Sequence, residues 1–141
     1  MSDDEAHGPI DFVLLEFPGD RPLDETAGAL MDLVDRGLVA IYDLVAIRKA
    51  QDGTFSGIAL DELGTSFAAF NGARSGLLGD EDLQSAADAL APGTVAALIM
   101  FENTWAVPFV SAAFRAGGQM VASTRIPATD VIEVLDALDQ A

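Results

Sequence analysis

The chain has no cysteine, one histidine, one lysine and one tryptophan in 141 residues. Without cysteine there can be no disulfide, thiol catalysis, Cys-ligated zinc or iron–sulfur cluster. The lone histidine, His7, leaves no partner for a His-rich metal site. It also sits near a chain end, a poor place for the base of a Ser–His–Asp triad. Basic residues are scarce: 7 Lys+Arg stand against 23 Asp+Glu, a formal net charge of −16. A free-standing nucleic-acid binder needs a basic footprint to neutralise phosphates, and none exists here. Docking to anionic lipid is disfavoured for the same reason. No apolar run approaches the roughly 20 residues that span a bilayer. Neither GxxxxGK[ST] nor GxGxxG occurs, so no phosphate-cradling loop is indicated. The start, MSDDEAHG, lacks the basic-then-apolar order of a signal peptide. These absences lead to the expectation of a soluble cytoplasmic protein with no cofactor, metal, nucleic-acid partner or integral membrane segment.

Half of the residues are hydrophobic, enough for a sizeable core in one domain. Residues 1–7 read as a disordered acidic tail, and residues 8–141 as a single α+β domain. The run IDFVLLEF at 10–17 is apolar, β-branched and aromatic, and Pro18-Gly19 ends it, so it predicts a strand. Asp20 is placed to cap a following helix and Pro22 suits its first turn. Leu23, Ala27, Leu30, Leu33 and Val34 form that helix's apolar stripe, and Gly37 stops it. Strands follow at 39–49 and 54–59, joined by a tight turn at Asp52-Gly53. The stretch 61–91 reads as a helical insertion whose last part opens at Asp80-Glu81-Asp82. TVAALIMF at 94–101 predicts a buried strand. Asn103 or Thr104 can cap a helix through Arg115. A strand at 120–126 follows, and Asp130 with Glu133 resembles a capping box for a terminal helix reaching Leu138.

Strand–helix–strand thus occurs twice, at 10–49 and 94–126. Two such units pack most simply as a ferredoxin-like, four-stranded sheet with both helices on one face. Their first strands would be central and parallel. The loop at 18–21 would then lie beside that at 102–105, where helix N-termini could hold an anion or a polar small molecule. Asp20, Arg21, Glu102, Asn103 and Trp105 are the candidate ligand-binding residues. Glu16 and Glu102 would both end central strands, either as a carboxylate pair for acid–base work or a hard cation, or with Glu16 solvated and Glu102 stabilising the following helix N-terminus. Trp105 would be a binding platform or a packing residue. Tyr42 and Asp43 interrupt a strand, but strand neighbours point to opposite faces. Gly64, Ala68, Gly72 and Gly76 recur every four residues. On a helix they would form a smooth ridge for close contact with another helix or subunit; otherwise the stretch is a glycine-rich loop.

GPIDFVLLEFPGD at 8–20, DLVAIRKAQDG at 43–53, ALIMFENTWA at 97–106 and AGG with RIP within 116–127 resemble an uncharacterised, mainly actinobacterial family of domains of unknown function. The resemblance covers about residues 8–138. FENTWA is its most specific mark, although the family usually has Trp where Phe101 stands. That family is similar to a broader set of stress-associated proteins with a glycine-rich central segment, some of them held to be membrane-associated. The resemblance implies a soluble bacterial α/β protein and brings no activity, ligand or catalytic residue. The leading expectation is a non-enzymatic, homo-oligomeric protein, stress-linked through the resemblance and acting by self-association or scaffolding. The alternative is a small-molecule-binding protein or cofactor-free enzyme using the loops at 18–21 and 102–105.

Overall fold

The computed structural model describes residues 7–19, 23–122, 124 and 126–140. Four strands, β1 (Ile10–Pro18), β2 (Ala40–Lys49), β3 (Phe55–Ile58) and β4 (Thr94–Glu102), form one sheet in the order β1-β4-β2-β3. All three neighbouring pairs are antiparallel. Among the described residues the α-helices are α1 (Asp24–Asp35), α2 (Asp80–Ala89), α3 (Val107–Arg115) and α4 (Ala128–Asp139). Helix and antiparallel sheet in one chain make the fold α+β.

β4 lies inside the sheet because its residues can be buried on both faces, and Ala96 and Leu98 are fully buried. Its alternate residues divide the core. Val95, Ala97 and Ile99 pack with α1 residues Leu23 and Ala27 and with Leu63, Phe67 and Phe70. Ala96 and Leu98 pack on the opposite face with Ala86, Ala87 and Leu90 from α2 and its end. The molecule is therefore layered, with α1 on one side of the sheet and α2 on the other. Lys49, the single lysine, donates from Nζ to the Ala87 and Leu90 carbonyls at 2.8 and 3.0 Å. These carbonyls end α2, where a cation offsets the negative end of the helix dipole.

Several expectations are corrected here. The ferredoxin-like arrangement with both helices on one face is not formed, and β1 and β4 are antiparallel rather than parallel. β1 and β2 run in the same direction with β4 between them, as do β3 and β4 with β2 between them. The second strand–helix–strand unit is thus β3–α2–β4: the strand expected at 54–59 is present, but it opens the second unit, which was expected to begin at 94. Residues 120–122, 124 and 126 are not strand. Both edges of β4 are already taken by β1 and β2, and Met120, Val121 and Ile126 are left exposed. Residues 1–6 of the expected acidic tail lie outside the described residues, as do the expected cap Asp20 and Pro22.

Within the 61–91 stretch, residues Thr65–Ala73 form a 3₁₀ run, and α2 begins at Asp80 as expected. A 3₁₀ helix has about 3 residues per turn, so positions four apart rotate away from one another. Gly64, Ala68, Gly72 and Gly76 therefore form no common ridge. Gly76 lies beyond the run at φ 89°, a left-handed conformation that suits glycine. Phe67 and Phe70, three apart, instead share one buried side, with ring centroids 6.2 Å apart.

Candidate functional site

The register sets which residues can meet. Ile10 lies opposite Glu102, whereas Pro18 lies opposite Thr94. Pro18 and Gly19 are therefore a full strand length from Glu102, Asn103 and Trp105. Asp20 and Arg21 lie outside the described residues. A shallow hollow of about 770 Å³ at the Pro18 end of the sheet is lined by Glu16, Pro18, Arg48 and Thr94 among others. Glu16 also sits there and accepts the Ala91 N–H at 2.8 Å, so it forms no pair with Glu102.

A polar cluster is built at the Glu102 end. Glu102 is 6% exposed. Its Oε1 accepts the Tyr42 hydroxyl at 2.5 Å and its Oε2 accepts the Gly8 N–H at 2.8 Å. His7 Nδ1 stands 4.0 Å from Oε1. Gly8 can be nothing larger in this position, because a Cβ there would fall 2.0 Å from the Asn103 carbonyl oxygen. Asn103 expectedly leads into a helix, but it caps none. Its amide nitrogen donates to the Pro9 carbonyl at 3.0 Å and to Asp11 at 2.9 Å, tying the turn to the start of β1. A single 3₁₀ turn, Thr104–Ala106, precedes α3. Thr104 donates its hydroxyl to the Gly37 carbonyl at 2.8 Å. Trp105 donates its indole N–H to Asn103 Oδ1 at 3.3 Å and is 62% exposed. It is therefore not a core residue.

Tyr42 reaches Glu102 through a β-bulge. Ile41 pairs with Phe101 and Asp43 with Met100, leaving Tyr42 as the extra residue. Ile41 and Leu44 consequently pack on the same side of the sheet although they are three residues apart. In a regular strand they would face opposite sides. The bulge also directs Asp43 into the protein, where it is fully buried. Its carboxylate pairs with Arg74 and accepts N–H groups from Leu44, Ser75 and Leu78. Sequence reasoning noted Tyr42 and Asp43 as polar interruptions but missed both partnerships. Their only signal was two consecutive polar residues in an otherwise apolar strand, and a bulge allows that pattern.

The Glu102 carboxyl is pulled two ways. Burial favours its neutral form, while the Tyr42 hydroxyl, the Gly8 N–H and nearby His7 favour the carboxylate and outweigh burial, holding it below its ordinary value of 4.5. Tyr42 moves the other way. Donating to Glu102, then burial and the adjacent negative charge, raise its hydroxyl above 10.0. The pair is thus a carboxylate and a neutral phenol across the ordinary pH range.

The stability consequence has a definite sign. The unfolded chain takes up the Glu102 proton first as pH falls below 4.5, so the cluster's contribution is present above that value and is lost as pH falls through the folded value. Glu102→Gln is expected to remove this part of the acid sensitivity. Melting temperatures of wild type and variant at pH 6 and pH 4 check it, and an equal acid-induced drop in both would contradict it.

The arrangement can hold a proton, position a hydroxyl and present an indole at the surface. Among the described residues, no three His, Asp or Glu side chains gather as a metal site. No described helix is long and apolar enough to cross a membrane. Fold and site together define a layered α+β domain with a buried carboxylate–phenol pair at one end of its sheet. The chain belongs to a family of unknown function, DUF6325, which matches residues 6–140. No curated protein and no solved structure matches it.

Proposed function

We propose that this protein is non-enzymatic and works by self-association, as an assembly or scaffold in the cytoplasm. One observation carries the reading: α4 is amphipathic and none of its residues is buried. Its Val131, Ile132, Val134, Leu135 and Leu138 are between 42% and 65% exposed. Isolated helices of 12 residues are marginal in water, and most helical stability comes from packing an apolar face. A contiguous apolar patch of this kind marks an interaction surface. The net charge of −16 opposes a nucleic-acid partner and favours an interface with an apolar centre. Light scattering across a dilution series in physiological salt tests this. An oligomer that dissociates on dilution is expected, and a monomer at every concentration overturns it.

The Glu102 cluster supports a second reading, in which a small polar molecule binds at Glu102, Asn103 and Trp105. The observation in its favour is an exposed indole hydrogen-bonded to the residue next to a buried carboxylate. Trp105 is the only tryptophan, so its emission reports occupancy. A screen of small polar metabolites against intrinsic fluorescence tests this reading. A shift lost in Glu102→Gln supports it, and no shift by any compound removes it.

A further inference from the structure

The chain has two asparagines, Asn71 and Asn103, and they stand in opposite surroundings. The Asn103 carboxamide is tied at both atoms. Its nitrogen donates to the Pro9 carbonyl and to Asp11, and its oxygen accepts the Trp105 indole N–H. The residue after it, Thr104, is β-branched. Asn71 is exposed, and among the described residues its carboxamide has no hydrogen-bond partner. The residue after it is Gly72, also exposed, where even a Cβ would meet nothing within 4 Å. The main-chain nitrogen of Gly72 therefore has no side chain beside it and open space around it.

This pair of residues carries its own reaction, and asparagine is a thermolabile residue for that reason. The Gly72 nitrogen gives up its proton and attacks Asn71 Cγ, so that a new C–N bond forms. The C–N bond of the carboxamide breaks, and its nitrogen takes that proton and leaves as ammonia. Water then opens the cyclic imide. Addition at Cγ gives aspartate. Addition at the main-chain carbonyl carbon gives isoaspartate, whose main chain runs through Cβ and Cγ and is longer by one atom. Water is the one co-reactant.

The ring closes when the backbone at Asn71 leaves its helical conformation, and the local structure favours that opening. The Thr65–Ala73 run has nine residues, whereas 3₁₀ runs beyond about four are uncommon because their hydrogen bonds are poorly aligned. Gly72 weakens it further, by about 1 kcal/mol relative to alanine in a helix interior. Asn71 lies in the last turn, just before the chain becomes extended at Arg74. Exposed ends of elements open at low free energy while the core stays closed.

We propose that Asn71-Gly72 is a site of spontaneous covalent modification, and that its conversion is an ageing switch built into the fold. Its place gives the reaction a consequence. Phe70, one residue before, is buried in the core beside Phe67. Arg74, three residues after, pairs with the buried Asp43 carboxylate and donates to the Leu78 carbonyl. A main chain lengthened between these two anchors cannot hold both. Either product also adds a carboxylate. Asn71 and Arg74 border the same hollow of about 370 Å³, so the new charge competes with Asp43 for the guanidinium. Conversion thus loosens the aromatic wall and the Asp43 clasp together.

The test ages the full chain in warm, mildly alkaline buffer. Peptide mapping by mass spectrometry locates each amide turned to acid, and enzymatic methylation counts isoaspartate. Conversion is expected at Asn71 and not at Asn103, and the aged protein is expected to melt below the fresh one. Asn71→Gln is exposed and is expected to melt like wild type when fresh. Aged, it is expected to lose nothing, because glutamine must close a larger ring and does so far more slowly. A folded chain that stays unconverted at Asn71 while the urea-unfolded chain converts there overturns the proposal, since the 3₁₀ run then protects the site. Equal conversion at Asn71 and Asn103 overturns the contrast on which the site rests. A chain converted at Asn71 that melts with the fresh protein overturns the switch.

Discussion

Asp43→Ala is expected to lower the melting temperature by about 12–20 °C. The carboxylate is fully buried and satisfies three backbone N–H groups besides Arg74. Leaving a buried donor unmade costs about 1–3 kcal/mol each. Arg74 can turn to solvent, so the donors rather than a stranded charge dominate, and the loss is about 3–5 kcal/mol. For a domain of this length each kcal/mol moves the midpoint by about 4 °C. Asp43→Asn is expected to recover little, because its amide group points a donor at one of the same N–H groups. Arg74→Ala tests the complementary half, since it strands the carboxylate among its backbone donors. Thermal melts by circular dichroism decide the matter, and a drop under about 4 °C for Asp43→Ala would show that water replaces the carboxylate.

Phe67→Ala is the second large effect. The ring is 1% exposed and joins α1, the 3₁₀ run and β4 in one core cluster. Truncating a buried phenylalanine costs about 3–5 kcal/mol through lost transfer energy and the cavity left behind. A fall of about 12–20 °C is expected at about 4 °C per kcal/mol. Phe67→Leu should recover more than half of it, because most of the volume is retained. A change of only a few degrees in the alanine variant would mean that the run is a surface strap rather than a wall of the core.

That segment also shows where the sequence was legible. The strand at 94–101 and the helix opening at Asp80 announced themselves, the first by an unbroken apolar run and the second by acids at a helix start. The 65–73 segment mixes small residues with two phenylalanines three apart. That spacing suits a 3₁₀ run, but it also occurs by chance in loops. The topology was misread because the strand at 94–101 was paired with MVASTRI as the opening of a second unit, whereas it closes the unit that the strand expected at 54–59 opens. At the site, Glu102, Asn103 and Trp105 follow one another in sequence and are together in space. Their true neighbours, Gly8, Asp11 and Tyr42, are brought in by antiparallel register and a bulge, and neither is encoded in local pattern. Asp20 and Arg21 were joined to them only by the assumed parallel pairing.

The place of β4 between β1 and β2 governs the order in which the fold can assemble. β1 leaves the ribosome long before β4, yet among the described strands β4 is its only partner, and Ile10 meets a residue more than ninety positions later. Until residue 102 has emerged, an apolar strand of nine residues has no neighbour to hold it. Pairings so distant in sequence make folding slow, because a long loop must close before any contact repays its entropy. A nascent chain that stops short of β4 exposes an unpaired sheet edge of the kind that recruits other chains. Synthesis rate and chaperone supply, more than final stability, are then expected to set the yield of folded protein.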